Sequence, residues 1–303
     1  MNFSKINAWL KAFRLRTLPL SAASIGMGGF MAACDGSFQL SIFCLALLTT
    51  FLLQILSNLA NDYGDYVSGA DLIERIGPKR MLQSGQLKKN EMLIAIVIFT
   101  LLSLCSGVFL LIMSEALESV NAFGFFLALG ILAIVASIKY TAGKNPYGYA
   151  GLGDLSVLIF FGFTGVLGSY YLHTQKIYPA LLLPAASVGF LSVAVLNINN
   201  MRDMHSDKKA GKYTIPVRIG LERAKIYHAF LIICPILFST VFVGLTFKSL
   251  WQFLYLISVP FLFINLIKIF NTKEAEKLDP WLRQLVFTTL LYTACFGIGH
   301  LLH

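Results

Sequence analysis

Carboxamide and carboxylate side chains recur at helical spacing where one long apolar segment ends. Asn58, Asn61 or Asp62, and Asp65 fall three or four positions apart, with Gln54 before them. They share one face if the helix continues through them. Polar groups on a membrane helix are unfavourable without partners and commonly serve a function. This polar stretch is therefore the first candidate for a functional site.

A second polar run follows another apolar segment much later in the chain. It contains Asn197, Asn199, Asn200, Asp203 and Asp207. Two aspartates four positions apart project from one face of a helix. Mg²⁺ prefers oxygen ligands and is commonly held by one or two carboxylates together with substrate phosphates. The two helix ends together predict a site for Mg²⁺ and a phosphorylated ligand, although single aspartates would also suit solvated helix ends.

Basic residues near both runs could bind the oxygens of a diphosphate. The candidates are Lys79, Arg80, Arg202, Lys208, Lys209 and Lys212, together with Arg14 and Arg16 at the start of the first apolar segment. Membrane proteins also collect Lys and Arg in cytoplasmic loops without any ligand. We expect Arg80 and Lys212 in particular to contact diphosphate.

The composition is typical of an integral membrane protein. Of 303 residues, 57% are hydrophobic and 13% are charged, and the mean hydropathy is +0.73. A helix needs ~20 apolar residues to cross a bilayer. Segments of about this length fall at residues 17–34, 40–60, 92–113, 120–138, 153–172, 179–199, 226–247, 250–267 and 285–302. We predict an all-α bundle of nine transmembrane helices, preceded by an interfacial helix over residues 4–16.

The distribution of Lys and Arg predicts the topology of the bundle. With a cytoplasmic N-terminus, nine spans place every Lys and Arg except Lys176 and Lys248 on the cytoplasmic side, as membrane proteins usually do. Both polar runs then face the cytoplasm, and the C-terminus lies outside. The net charge of +9 is explained by topology, so we expect no nucleic-acid partner and a lipid bilayer instead.

Two polar connections on the cytoplasmic side, residues 62–91 and 201–225, are longer than the connections on the opposite face. Long loops on a compact body are commonly functional. We interpret both as caps over a shared site, within one membrane domain that covers residues 1–303.

The third cytoplasmic loop contains Tyr140, Tyr147 and Tyr149 and ends at Asp154. Tyrosine rings can stabilise a nearby cation, and a phenol can orient a polar ligand. An aromatic belt at the membrane interface explains Tyr147 and Tyr149 equally well. Tyr140 is a candidate for substrate binding.

Two other classes of membrane protein also use carboxylates in membrane helices. A phospholipid headgroup transferase would show an Asp-Gly-x-x-Ala-Arg motif, which the sequence does not contain. An ion-coupled transporter would need carboxylates along a path across the membrane. Here the acids cluster at one face, and the segments 92–113 and 226–247 contain no Asp, Glu, Lys or Arg. An enzyme acting at the cytoplasmic face is the favoured interpretation.

Several motifs resemble those of the UbiA superfamily of intramembrane prenyltransferases, and the likeness covers nearly the whole chain. They are Asn61-Asp62-x-x-Asp65 after the second span and Asp203-x-x-x-Asp207 after the sixth, together with the nine spans. One position departs from the pattern. The superfamily's usual third aspartate, four residues after Asp65, is Gly69 here, and Asp71 follows two residues later. The role of Asp71 is therefore open.

The resemblance implies a bundle that binds polyprenyl diphosphate at its cytoplasmic mouth, in the bacterial cytoplasmic (inner) membrane. The implied ligands of Mg²⁺ are Asn61, Asp62, Asp65, Asp203 and Asp207, and the four aspartates are also the expected catalytic residues. The residues expected to bind substrate are Arg14, Asn58, Asn61, Arg80, Tyr140, Asn200 and Lys212.

A closer resemblance within the superfamily is to the branch that prenylates 1,4-dihydroxy-2-naphthoate. The segments that carry it are Leu53 to Asp65, Gly77-Pro78-x-Arg80, Asn145 to Asp154, Val195 to Asp203 and Gly211-Lys212-x-Thr214. That branch implies transfer of a polyprenyl group to the naphthoate ring with loss of CO₂ and diphosphate, giving demethylmenaquinone. The allylic cation formed on the way requires a dry cavity with aromatic faces, which a helix bundle can supply. 4-Hydroxybenzoate and haem are alternative acceptors, and the sequence predicts neither the prenyl chain length nor the oligomeric state.

Overall fold

The fold is that of a computed structural model, which describes residues 3–69, 77, 80–114 and 120–302. Within these ranges every regular element is helical and no β-strand occurs. Asp71, Pro78 and Lys79, which the sequence analysis considered, lie outside the described residues.

The described chain forms eleven helices in this order. They are α1 (Phe3–Phe13), α2 (Leu18–Cys34), α3 (Leu40–Val67), α4 (Lys89–Met113), α5 (Val120–Lys139), α6 (Gly153–Thr174), α7 (Leu182–Lys209), α8 (Ile215–Ile219), α9 (Leu221–Thr246), α10 (Leu250–Asn271) and α11 (Asp279–Leu301). In the described part of the chain, nine helices are long and apolar enough to cross a membrane. The predicted all-α bundle with nine membrane spans is confirmed.

The two polar runs lie on helices, as their spacing predicted. Helix α3 continues to Val67 and α7 to Lys209, so each carries its aspartates on its last turns. Residues 62–67 of the range predicted for the first cap and 201–209 of the range predicted for the second belong to these helices, and the second range also contains the short helix α8.

A helix forms over most of the predicted range 4–16, as α1, and packs beside α3. Ala8 and Ala12 are buried in one apolar cluster with Leu59 of α3 and Met81 of the following turn. Lys5 of α1 also pairs with Glu91 of α4, at 2.5 Å between Nζ and Oε1. The N-terminal helix is thus fixed to the helices that carry the first polar run.

Helices α7 and α5 differ most in burial. In the candidate span Pro179–Lys209, 78% of the residues in its apolar stretch are buried inside the protein. In Val120–Lys139 none of the corresponding residues is buried. The main core cluster forms around α7 and includes Val188, Leu191 and Ile198. Helix α7 is therefore the centre of the bundle, and α5 is a peripheral wall.

Helix α6 widens into a π-helix over Leu158–Leu167, a form that is rare and frequent at functional sites. Helix α2 approaches this segment closely at Gly28, where a Cβ would lie 2.4 Å from the Val166 carbonyl oxygen. Ser24 of α2 donates a hydrogen bond of 2.5 Å to the Phe161 carbonyl oxygen. Small residues and such bonds hold membrane helices together. The contact with α2 therefore fixes the position of the π-helical segment.

Candidate active site

A cavity of about 410 Å³ opens where the polar ends of α3 and α7 meet. The acidic and carboxamide residues that line it are Gln54, Asn58, Asn61, Asp65, Asn199, Asn200, Asp203 and Asp207, and the basic ones are Arg14, Arg16, Arg80 and Lys212. Deeper in the bundle the lining is largely apolar, with Leu104 and Val108 of α4, Phe126 of α5 and Phe161 of α6. Two polar runs that lie far apart in sequence thus border one membrane cavity.

Asp65 is a buried acid at this mouth with several charged and polar partners. Its side chain is 1% exposed and forms ion pairs with Arg80 and with Lys212, whose Nζ lies 2.5 Å from Oδ1. The Tyr149 hydroxyl donates to the same oxygen at 2.6 Å. Arg80 also donates to the backbone carbonyl of Asn61. One buried carboxylate therefore gathers two cations and a phenol.

The protonation of this cluster follows from burial and from the charge of Asp65. Burial raises the pKa of the Tyr149 phenol, and the adjacent Asp65 carboxylate raises it further, so the phenol stays a hydrogen-bond donor. Burial lowers the pKa of Lys212 despite the opposing effect of Asp65. Lys212 Nζ also lies 4.7 Å from the centroid of the Tyr149 ring, a distance typical of cation–π attraction.

Asp203 belongs to a second charged cluster. The Arg202 guanidinium donates to both of its oxygens, with Nε and Nη2 each at 2.9 Å. Arg202 also donates to Asp279 of α11 at 2.6 Å and to the Asn199 side-chain oxygen at 2.7 Å. Arg202 and Asp203 are each 2% exposed. These contacts connect the second polar run to the last helix.

The structure places Asp62 differently from the other predicted ligands. Asp62 is not among the cavity-lining residues. It is buried, and its Oδ2 accepts a hydrogen bond of 3.2 Å from the backbone N–H of Met81. In this position it anchors the turn that carries Arg80 to α3. Its direct role in binding a metal stays a prediction.

Asn58 holds the junction between α1 and α2. Its amide donates to the Phe13 carbonyl oxygen at 3.0 Å and to the Thr17 hydroxyl oxygen at 3.3 Å. Thr17 in turn donates to the Arg14 carbonyl oxygen at 2.9 Å. Arg14 has a φ of 49°, which is uncommon for a residue with a side chain. Asn58 therefore both lines the cavity and fixes the backbone that presents Arg14 to it.

The tyrosines of the third loop also reach the cavity, since Tyr140, Tyr147 and Tyr149 all line it. The rings of Tyr140 and Tyr147 meet edge to face at 5.4 Å, and the Tyr147 hydroxyl donates to the Ala136 carbonyl oxygen at 2.9 Å. Burial raises the pKa of the Tyr140 phenol, and Asp154 adds to this effect. The sequence left Tyr149 as a possible interface residue, whereas the structure joins it directly to Asp65.

Asp279 is a site residue that the sequence analysis missed. It starts α11 and precedes Pro280, a pattern typical of an ordinary helix N-terminus. Its carboxylate accepts hydrogen bonds from Arg16 at 3.2 Å, from Arg202 at 2.6 Å and from Arg283 at 3.1 Å. No local pattern links Asp279 to Arg202, because the contact depends on how α7 and α11 pack.

The donor set at the mouth suits Mg²⁺ that arrives together with a diphosphate. No group of three or more His, Cys, Asp or Glu side chains in the described ranges could enclose a metal ion by itself. The mouth instead offers separate carboxylates, and the Asn61 Oδ1 atom is buried without a hydrogen-bond partner among the described residues. Mg²⁺ keeps several waters and takes phosphate oxygens as ligands, so these residues fit it without forming a closed cage.

A charged mouth over a largely apolar membrane cavity is the site of a membrane-embedded enzyme that acts on a lipid-soluble phosphorylated substrate. The model of the UbiA prenyltransferase family matches residues 22–292. The chain belongs to the UbiA prenyltransferase family.

Several curated proteins are similar to this chain along most of its length. The 1,4-dihydroxy-2-naphthoate octaprenyltransferase of Escherichia coli (strain K12) is 43% identical over 98% of this chain and 96% of its own. The protein of the same description from Haemophilus influenzae is 42% identical over 98% and 97%. A third, from Mycobacterium tuberculosis, is 34% identical over 76% of each chain.

Solved structures share the fold at low sequence identity. A UbiA homolog from Archaeoglobus fulgidus bound to DMAPP and Mg²⁺ matches with a TM-score of 0.62 and 18% identity, over 96% of this chain and 98% of that one. A structure described as digeranylgeranylglyceryl phosphate synthase matches with a TM-score of 0.64 and 18% identity, over 99% of both chains. The UbiA fold that the motifs implied is confirmed.

The Asp65 cluster makes a prediction about stability in detergent. Arg80→Met should lower the free energy of unfolding by about 3 kcal/mol, because removing one partner of a buried ion pair leaves an under-compensated charge. Lys208→Met, which removes an exposed base from the end of α7, is the matched control and should change it little. Chemical unfolding of the purified protein measures both. Equal stability of the two variants would contradict the view that Arg80 compensates Asp65.

Proposed function

We propose that this protein transfers a polyprenyl group from polyprenyl diphosphate to 1,4-dihydroxy-2-naphthoate, with loss of CO₂ and diphosphate, giving demethylmenaquinone. The observation that carries the donor class is the cluster of Asp65, Arg80 and Lys212 at the mouth of a membrane cavity. The acceptor rests on the 43% and 42% identity, over nearly full length, to two 1,4-dihydroxy-2-naphthoate octaprenyltransferases.

Arg80 and Lys212 bind the diphosphate in this proposal. Both already contact an anion, the Asp65 carboxylate, and both line the cavity. A diphosphate at the mouth offers them several further acceptor oxygens, and Arg14 faces the same space. Positioned cations stabilise the charge that collects on the departing diphosphate as the carbon–oxygen bond breaks.

Asn61, Asp65, Asp203 and Asp207 are the cavity-lining residues that would hold Mg²⁺, and Asp62 would support them from behind. The archaeal structural neighbour with bound DMAPP and Mg²⁺ favours this cofactor for the shared fold. When bound, the ion supplies Lewis-acid stabilisation to the leaving diphosphate.

The aromatic side of the cavity suits the allylic cation. Tyr140 and Tyr147 lie at the mouth, and Phe160 and Phe161 of the π-helical segment lie deeper. Ring faces attract a cation, and the largely apolar walls exclude the water that would quench it. The electron-rich naphthoate ring can then supply the electron pair for the new carbon–carbon bond.

The depth of the cavity suits a long prenyl tail. On α3 the lining residues extend from Ala46 to Asp65, which is about 28 Å along a helix that rises 1.5 Å per residue. This length is close to the thickness of the hydrocarbon core. A tail that enters here can stay in an apolar environment while its diphosphate lies at the mouth.

The charge distribution supports an orientation with a cytoplasmic N-terminus and an external C-terminus, in one domain of the bacterial inner membrane. Cysteines introduced at Lys208 and Lys248 test it, because these residues lie at opposite ends of the bundle. In intact cells an impermeant thiol reagent should label Lys248→Cys and spare Lys208→Cys. The reverse labelling would contradict this orientation.

The acceptor is tested by offering labelled polyprenyl diphosphate and Mg²⁺ to the purified protein with each candidate acceptor. We expect a prenylated product from 1,4-dihydroxy-2-naphthoate and none from 4-hydroxybenzoate or haem. Asp62→Ala and Asp203→Ala serve as inactive controls, and their rate should fall by about 10²-fold or more. The first removes the support behind the residues that would hold Mg²⁺, and the second removes one of the carboxylates that would hold it. Product from 4-hydroxybenzoate alone would contradict the naphthoate assignment, and wild-type rates in both variants would contradict the metal site.

A further inference from the structure

Arg202 is a fully buried cation that contacts two carboxylates on different helices. Four hydrogen bonds are recorded for its guanidinium: two to Asp203, one to Asp279 and one to Asn199. Gly77, in the connection after α3, lies close to Arg202, because a Cβ on Gly77 would lie 2.7 Å from Arg202 Nη2. The Arg202 side chain therefore has little room to change position.

The contact between Arg202 and Asp203 affects any ligand of Asp203. Arg202 donates to both carboxylate oxygens of Asp203, so it occupies some of the lone pairs that a metal ion could use. A metal at Asp203 either shares these oxygens with Arg202 or displaces Arg202 from one of them. A buried guanidinium that loses a carboxylate partner is strongly unfavourable unless another anion compensates it.

Asp279 is the second anion in contact with Arg202. Its side chain is 19% exposed and lies 2.6 Å from Arg202 Nη1. Arg16 and Arg283 hold the same carboxylate from other directions, so the position of Asp279 does not depend on Arg202 alone. Asp279 can keep Arg202 compensated and in place while the Asp203 oxygens change partners.

We propose that Asp279 is a positioning residue that holds Arg202 and thereby leaves Asp203 able to bind the metal–diphosphate ligand. The inference rests on the proposed function, since it requires Asp203 to bind this ligand. Asp279, at the start of α11, would then affect the reaction although it does not line the cavity that would hold the substrate. Without the charge of Asp279, Arg202 would hold Asp203 more tightly against the incoming metal.

The test compares Asp279→Asn with Glu274→Gln, which changes an exposed acid just before α11 that pairs with the nearby Lys277. Electron paramagnetic resonance of Mn²⁺ measures metal affinity directly, with geranyl thiodiphosphate present as an unreactive diphosphate. We expect the Kd of Mn²⁺ to rise about 10-fold in Asp279→Asn, as is usual when a residue supporting a metal ligand is lost. The apparent KM for Mg²⁺ should rise with it, whereas kcat at saturating metal should change much less.

Two further variants separate positioning from a general loss of structure. Asp279→Glu keeps the charge and should bind Mn²⁺ nearly as the wild type does. Asn199 lies 2.7 Å from Arg202 Nη2, so adding Asn199→Asp to Asp279→Asn supplies a new carboxylate and should recover most of the affinity. Recovery in this double variant also answers the objection that Asp279→Asn is merely misfolded.

The experiment distinguishes a failure of the positioning role of Asp279 from a failure of the proposed function. Wild-type Mn²⁺ affinity in Asp279→Asn would overturn the positioning role, as would failure of both Asp279→Glu and the double variant to bind. If the wild-type protein itself binds no Mn²⁺ with geranyl thiodiphosphate, the proposed function fails first, whatever Asp279 does. A loss of affinity equal in Glu274→Gln would also contradict a specific role for Asp279.

Discussion

The carboxylate of Asp65 lies near the end of a membrane helix, almost fully buried, and a charge in that position must be compensated. Its partners come from three different connections. Arg80 follows α3, Tyr149 lies between α5 and α6, and Lys212 lies between α7 and α9. Residues from three connections therefore meet at Asp65, at the mouth of the cavity. The arrangement of the site depends on this one buried charge.

A second acid, Asp203, is compensated in a different way. Its partner Arg202 is the next residue on the same helix, and the link to the rest of the bundle passes through Asp279. The two acids thus face one cavity from two clusters, each with its own cations. In the proposed function, a diphosphate with its metal would bring both negative and positive charge to this mouth. It would exchange partners with both clusters while the buried groups stay compensated.

Hydropathy was sufficient to predict the nine candidate spans, because span length follows from the thickness of the bilayer. The distribution of Lys and Arg placed Asp65 and Asp203 at one face of the bundle, and both line the same cavity. The sequence did not separate Asp62 from its neighbours, since successive helical residues differ in direction by about 100° and the spacing allowed either Asn61 or Asp62. The structure places Asn61 in the cavity lining and turns Asp62 to the Met81 backbone.

Asp279 and the π-helical segment of α6 depend on long-range packing. The ion pair between Arg202 and Asp279 joins helices far apart in sequence, and the π-helix forms where glycines bring α6 close to α2. Neither leaves a local pattern that could have been recognised. The role of Tyr149 was similarly open, because a tyrosine at a membrane interface has an ordinary explanation until its hydroxyl is found on Asp65.

The most direct measurement of the central claim follows the carboxylate of the acceptor. Purified protein in lipid nanodiscs would receive polyprenyl diphosphate, Mg²⁺ and 1,4-dihydroxy-2-naphthoate that is isotopically labelled in its carboxylate carbon. We predict that one labelled CO₂ and one diphosphate are released for each prenylated product, and that chelation of the metal stops all three together. A prenylated product that retains the label, or turnover that is unchanged by chelation, would contradict this account.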